Sequence, residues 1–574
     1  MKGADYIAAY LGKRGVTQVF EVAGGMITFL LDSLHRQAAI RIVSMHHEQS
    51  AAFAAEGVGR MRGFPSVAMA TSGPGATNLL TAVGSCYFDS IPALFITGQV
   101  NRYEQKAGLA IRQLGFQETD IVSMAKPITK AAWQVVKSED LPGLLEEAFM
   151  LSTTGRPGPV LLDVPMDIQR SEIADLKRLD FLPSHVSSQT DEDPQAFLVA
   201  LQNDLQEAKR PLLLAGGGIR SGRCISDFRT LVESLNIPVV NSLMAVDVLP
   251  DGHSLRVGLI GSYGNRWGNT ALSESDLLLV LGSRLDVRQT GSDTRAFKGR
   301  RVIYHVDCEQ GELNNRVKGC VTLESELGPF LANANNRRIT APPCPDWIRR
   351  IQELKAQWPD TKELGDIEGI NPNGFMHQLS RHAAKVAAFV VDVGQHQMWA
   401  AQSLDLQANQ RFLTSGGMGA MGSALPLAIG ACFAVSQPVA MIAGDGGFQL
   451  NIQELQTVTR NRLPIKMVII NNRCYGMVRQ FQDSYFKGRL QSTVWGYSAP
   501  SFTAVAEAYG IPTSSVSDPA KTETALAAWM ADPKSPYLLE VNIAMRANAY
   551  PKMAFGKPIS EMEPLARPLD MEGT

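Results

Sequence analysis

Asp445 and Asn472 carry the chemistry most directly legible in this chain. Asp445 lies in Gly444-Asp445-Gly446-Gly447, a turn without bulky side chains, and Asn472 ends the pair Asn471-Asn472. The run PVAMIA leads into the turn. Ile452, Leu455 and Val458 then recur at helical spacing, Asn461 and Pro464 close that helix, and IKMVII leads into the asparagines. A strand–helix–strand unit of this length is a right-handed parallel crossover. Both strands therefore end at one edge of a sheet, where open α/β sheets bind ligands. A carboxylate and an amide oxygen beside a glycine turn suit Mg²⁺ carrying a phosphate, because the ion takes hard oxygens and backbone N–H groups take the anion. A lone Gly-Asp-Gly turn is common; its spacing to Asn-Asn across these elements singles it out. Glu48 is the second candidate. It stands at a strand end before the small-residue helix EQSAAFAAEGVGRMRG, in an apolar stretch. A carboxyl there is expected to be desolvated and able to hold a proton, although a helix N-terminus also favours an acid for its dipole alone.

The elements that must position these groups alternate strand and helix. Residues 1–170 contain VTQVFEV, IRIVSMHH, SVAMATSG, PALFITGQV and PVLLDVP with helical stretches between them, the pattern of a doubly wound parallel sheet. A polar linker is expected from Arg170 to Asp193. A second α/β unit over 190–340 holds PLLLAGGG, IPVVNSL, DLLLVLGSRLD and RVIYHVD, and a proline-bearing linker, ANNRRITAPPCPDW, follows. A third unit over 345–550 carries AAFVVDVG and the opening motif, and 551–574 is a C-terminal tail. The expectation is α/β, three doubly wound parallel-sheet domains, the first and third resembling a duplication.

Composition bounds the function classes. With 574 residues, 45% hydrophobic, 19% charged and a net charge of −2, nothing calls for nucleic acid or an anionic membrane. There is no long apolar run, the chain opens on an amphipathic helix, and the seven cysteines form no CxxC pair. We therefore expect no membrane span, no signal peptide and a cytoplasmic location.

Eight motifs together resemble the thiamine-diphosphate-dependent enzymes of the acetohydroxyacid (acetolactate) synthase type: HHEQSAAFAAEG around Glu48, TSGPGATN (71–78), GFQETD (115–120), TGRPGPVLLDVP (154–165), GSRLDVRQTG (282–291), DVGQHQMWAAQ (392–402), GGMGAMGSALPLAIGA (416–431) and GDGGF with Asn-Asn. The resemblance covers nearly the full length. It implies a pyrimidine-binding, a central FAD-type and a diphosphate-binding domain, in a homodimer or homotetramer whose sites lie between the first domain of one subunit and the third of another.

By resemblance, Asp445, Asn472 and the carbonyl of Cys474 hold Mg²⁺. Gln395 and His396 reach the diphosphate, Gly419 touches the aminopyrimidine and Met421 wedges the cofactor into a bent form. Thr71, Pro74, Asn78, Gly446, Gly447, Gly476 and Met477 complete the thiamine diphosphate contacts. Glu48 activates the cofactor, and Gly25, Phe116 and Gln117 face the reacting centre. Lys130 lies near the entrance, Arg284 recognises an acceptor carboxylate, and His47 orients its turn. FAD, structural rather than redox-active, is expected on Arg156, Gly216, Gly217, Gly218, Ser242, Leu243, Met244, Gly282, Arg284, Asp286, Arg288 and Asp307. The family's GMHG is Gly261-Ser262-Tyr263-Gly264 here, and an acid usual near the adenine is Cys320.

The acceptor pocket departs from the synthases at Met26, in place of alanine, and at Phe481, in place of tryptophan. Such changes are worth about 1–3 kcal/mol in acceptor choice. The expected activity is decarboxylation of pyruvate and transfer of its two-carbon unit to a ketone or keto-sugar, similar to the yersiniose-pathway carboligases. The alternative is an acetolactate synthase catalytic subunit joining two pyruvates. A pyruvate oxidase-type reaction and a catalytically silent cofactor-binding module are the further rivals.

Overall fold

The computed structural model describes residues 1–173 and 193–570, so most of the expected Arg170–Asp193 linker lies outside the described residues. Three six-stranded, all-parallel sheets follow one another along the chain. The first contains β1 (Gln18–Glu21), β2 (Arg41–Ser44), β3 (Ser66–Ala70), β4 (Ala93–Gln99), β5 (Ala131–Gln134) and β6 (Pro159–Pro165), in the order β2-β1-β3-β4-β6-β5. The second contains β7 (Pro211–Ala215), β8 (Val239–Asn241), β9 (Arg256–Leu259), β10 (Leu277–Leu281), β11 (Val302–Asp307) and β12 (Val321–Glu324), in the order β12-β11-β10-β7-β8-β9. The third contains β13 (Ala388–Val391), β14 (Arg411–Leu413), β15 (Val439–Gly444), β16 (Ile465–Asn471), β17 (Thr513–Val516) and β18 (Tyr537–Asn542), in the order β14-β13-β15-β16-β18-β17. The first and third orders are the same, as a duplicated architecture requires. The central order has its reversal between β7 and β10, the arrangement of doubly wound nucleotide-binding sheets.

Strands buried on both faces, such as β3, β4, β10 and β16, explain the continuous apolar runs, since helices cover both sides of a parallel sheet. The first and third units share one hydrophobic core. The helix Glu48–Arg62 lies on the helix Ala424–Ala434, and the approach is close because both present small residues. A Cβ on Gly430 would stand 1.9 Å from the Ala54 carbonyl oxygen, and one on Gly57 would stand 2.3 Å from that of Leu427.

Two local expectations need correction. The stretch after Asp445 is not one helix: a helical turn at Asp445–Phe448, a 3₁₀ segment at Gln449–Glu454 and a helix at Leu455–Asn461 follow in series. Asn451 breaks the series at φ −133° because its side chain donates to the Gly422 carbonyl, at 2.8 Å, and to Gln49. The segment ANNRRITAPPCPDW is not a loose linker either. Its ends belong to the helices Leu327–Arg337 and Pro345–Gln357, Ile339 and Trp347 are buried, and the Trp347 indole donates to the Pro211 carbonyl.

The tail is a clip. Lys552–Met553 pairs antiparallel with Met562–Glu563. The Met553 N–H donates to the Ser262 carbonyl, Arg266 donates to the carbonyls of Met562 and Glu563, and Phe555 meets the Tyr485 ring edge-on. Among the described residues no helix is long and apolar enough to cross a membrane.

Candidate active site

In the first and third sheets the strand order reverses beside β1 and β13, and the candidate side chains gather at the carboxyl ends of strands there, as expected for a switch point. In the third unit this edge holds a cavity of about 70 Å³. Gln395, His396, Met421, Asp445, Gly446, Gly447, Asn472, Cys474, Gly476 and Met477 all line it. Asp445 and Asn472 do follow adjacent parallel strands, β15 and β16.

The cavity's polar groups are held in fixed directions. Asn472 donates its amide N–H to Gln395 Oε1 at 3.1 Å, and its Oδ1 accepts the Cys474 N–H at 3.2 Å. Gln395 is fixed in turn by donating to Gln480 at 3.0 Å. Asp445 Oδ2 accepts from the Tyr497 hydroxyl at 2.8 Å, and burial pushes the Asp445 carboxyl up to about 6. No cationic side chain pairs with it among the described residues, so a divalent ion fits here: a desolvated carboxylate gains most from one. His396 is buried with no partner at Nε2, and burial pushes the imidazole down to about 3. In the tautomer that carries its proton on Nε2, this orphaned ring nitrogen suits a phosphate oxygen.

Three glycines in the lining let neighbouring groups pack against their backbone. A Cβ would meet the Tyr475 ring at 2.4 Å from Gly446, Asp392 Oδ2 at 2.3 Å from Gly447 and Gln395 Oε1 at 2.0 Å from Gly476. Gly419, at φ +66°, lies in the turn before Met421.

The first unit gathers a complementary set. His47 caps the helix Glu48–Arg62, its Nδ1 accepting the Gln49 N–H at 3.0 Å, the orienting role expected of it. Asn78, on the helix Pro74–Asp89, donates to Glu48 Oε2 at 2.9 Å. Thr71 accepts the Met26 N–H at 3.2 Å beside Gly24-Gly25, and Gln117, at φ +65°, abuts Gly73. Glu48 is only half-buried, so the expected desolvation is not achieved within one chain. Phe116 is 79% exposed. No residue of the first unit lines the small cavity.

A cavity of about 400 Å³ opens at the reversal of the central sheet, with walls from all three units. Arg156, Gly217, Gly218, Ser242, Leu243, Met244, Gly282, Arg284, Asp286, Arg288 and Asp307 line it. Gly216 does not: a Cβ there would stand 2.0 Å from the Gly282 carbonyl oxygen, so that glycine lets two strand-end loops touch. Burial pushes Asp307 up to about 6. Arginines at several points and an acid for hydroxyls fit a dinucleotide such as FAD. Ser262 and Tyr263 share the wall, whereas Cys320 lies outside it, its N–H held by Asn314 Oδ1.

Three substrate candidates are placed away from the small cavity. Lys130 donates to the Thr154 carbonyl at 2.6 Å, where burial lowers its pKa and Cys308, Glu309 and Glu326 face it. It therefore stands at the junction with the central unit. Arg284 lines the large cavity and pairs with Asp286 at 3.6 Å. The Phe481 ring packs on Tyr485, with centroids 4.8 Å apart, one turn beyond Met477.

Sequence reasoning missed Tyr497, which fixes Asp445, and Asp392, whose carboxylate accepts the Gly422 N–H. Asp392 had a usable signal, an acid at a strand end two residues before Gly394, much as Asp445 precedes Gly446. Tyr497 had none, since it comes from a loop far along the chain.

Comparison with known proteins accords with this geometry. Residues 1–124 match the model of the thiamine pyrophosphate enzyme N-terminal TPP binding domain, 199–333 that of the central domain and 392–541 that of the C-terminal TPP binding domain. The chain is 35% identical to the acetolactate synthase large subunit of Lactococcus lactis, over 98% of this chain and 96% of that protein. It is 36% identical to acetolactate synthase 1, chloroplastic, of Nicotiana tabacum (97% and 84%) and 34% to acetolactate synthase isozyme 1 large subunit of Escherichia coli (98% and 97%). Three matched domains in their proper order, carried on three parallel sheets with the cradle at the third sheet's edge, place the chain among the thiamine pyrophosphate enzymes, as a thiamine-diphosphate-dependent C–C carboligase of the acetolactate synthase family.

Proposed function

We propose that the chain is the catalytic subunit of an acetolactate synthase-type carboligase, which decarboxylates pyruvate and joins the two-carbon unit to the carbonyl of a second 2-oxo acid. The cradle carries this reading: Asp445 and Asn472 oxygens, a partnerless His396 nitrogen and three glycines around a space of phosphate size. Bound thiamine diphosphate supplies the nucleophilic carbon and the electron sink. Asp445, Asn472 and the Cys474 carbonyl would hold Mg²⁺, and His396 and Gln395 would orient the diphosphate. Glu48 Oε2 is taken by Asn78, which leaves Oε1 to hold the proton that the cofactor's pyrimidine ring exchanges. A second copy of the chain would bring its Glu48 edge against the cradle, exclude water and complete the desolvation. FAD would fill the large cavity as a structural group.

The relatives favour a 2-oxo acid acceptor over the ketone or keto-sugar expected from Met26 and Phe481. Those two residues remain the observation on the side of the ketone reading. Product analysis after incubation with pyruvate alone, and with pyruvate plus a small ketone, separates the two. We expect CO₂ and 2-acetolactate from pyruvate alone. A ketone adduct with no acetolactate would overturn the assignment, and anaerobic bleaching of the flavin by pyruvate would indicate an oxidase instead.

A further inference from the structure

The turn Gly416–Gly422, which carries Gly419 and Met421, is tied down at both ends by carboxylates. At its far end the Gly422 N–H donates to both oxygens of Asp392, each at 3.0 Å. At its near end Gly416 and Gly417 donate to Asp89, at 3.0 and 2.7 Å. Asp392 belongs to the turn's own sheet. Asp89 does not: it is the last residue of the helix Pro74–Asp89 in the first unit, whose opening turns supply Pro74 and Asn78.

Asp89 is itself held by a buried cation. Arg60 donates to Asp89 Oδ2 at 2.5 Å and to Glu56 Oε1 at 2.5 and 2.8 Å, and the Arg60 side chain is 4% exposed. A carboxylate that accepts two backbone amides and a guanidinium is a strong, directional clamp. Arg60, Asp89, Gly416 and Gly417 also form part of the wall of the large cavity, while Met421 lines the small one. A molecule filling the large cavity would therefore displace water from the side of this clamp, which strengthens its charge-assisted bonds.

We infer that Asp89, seated on Arg60, is a positioning residue for the Gly419–Met421 turn, and that through it filling of the large cavity tightens cofactor binding in the small one. This rests on the reading of that turn as part of the thiamine diphosphate site. It gives a non-redox flavin a task, because binding free energies at two linked sites act reciprocally.

The test measures thiamine diphosphate affinity, with Mg²⁺, on cofactor-stripped full-length protein by quenching of tryptophan fluorescence, since Trp399 lines the small cavity. It is run with and without saturating FAD, in the wild type and in Asp89→Asn. Saturating FAD should tighten binding about 5–10-fold in the wild type, and about twofold or less in Asp89→Asn. Hydrogen exchange at the Gly416 and Gly417 amides of the wild type should slow on adding FAD, a readout that does not depend on the variant folding. FAD that binds without changing either quantity, or an equal effect in Asp89→Asn, would overturn the inference while leaving the thiamine site intact. A wild type that binds no thiamine diphosphate would overturn the site assignment and this inference together.

Discussion

At the scale of residues, the Mg²⁺ role proposed for Asp445 predicts a pH-sensitive site. The Asp445 carboxyl is pushed up to about 6 by burial, and Mg²⁺ requires the ionised form. Below pH about 6 the ion must displace a proton, so the apparent Mg²⁺ affinity should fall about tenfold per pH unit there and be level above it. Titration calorimetry in buffers of different ionisation enthalpy would also show proton release. For the metal-free protein the sign is opposite: a raised carboxyl pKa favours the neutral form, so its stabilising contribution is present at low pH and lost as pH rises from about 4 to about 6. Glu48→Gln should lower turnover by on the order of 10²–10⁴-fold with an unchanged melting temperature; wild-type rates would refute its role. Gly476→Ala should abolish cofactor binding, because the new methyl would occupy the space of Gln395 Oε1 and push Asn472 aside. Asp445 and Asn472 were legible as neighbours because their spacing across a strand–helix–strand unit fixes both at one sheet edge, whereas Glu48 alone reads equally as a helix N-terminal acid. The bonds that aim them, from Tyr497, Gln480 and Asn78, join distant parts of the chain and leave no local trace.

At the scale of elements, the helices Glu48–Arg62 and Ala424–Ala434 set how the first and third units meet. Both are rich in alanine and glycine, a composition that marks close packing without naming the partner. Gly430→Ala would drive a methyl into the Ala54 carbonyl. We expect a loss of about 1–3 kcal/mol in stability, visible as a lower thermal midpoint, together with reduced activity from displacement of Glu48. The strand–turn–strand frame around Asp445 was legible from its apolar runs. Its broken helix was not, because Asn451 leaves helical geometry for side-chain bonds to Gly422 and Gln49 that only the tertiary fold supplies. The proline-bearing stretch near Cys344 is only partly a linker: Pro345 starts a helix, Pro342 and Pro343 stay in the irregular segment before it, and Trp347 anchors it.

At the scale of the whole molecule, the like strand orders of the first and third sheets were legible as alternation, while the order itself was not, since sequence periodicity carries no pairing. The cradle and Glu48 face different surroundings in one chain, which makes a two-copy site testable. Mixed and refolded together, inactive Glu48→Gln and Asp445→Asn chains should regain about a quarter of wild-type activity, because half the dimers would be mixed and each would hold one intact site. No recovery would place both halves of the site in one chain.

The tail clip has a practical consequence. Trimming the chain at Tyr550 would strip Arg266 of two carbonyl partners, leaving its charge to Glu363 and the Trp358 ring, and would uncover the Ser262 carbonyl beside the large cavity. A shortened version made for crystallisation, or nicked by a protease during purification, would thus be expected to hold the proposed flavin more weakly while keeping its three sheets. With FAD in the large cavity as proposed, the colour of the preparation would report on the integrity of this clip.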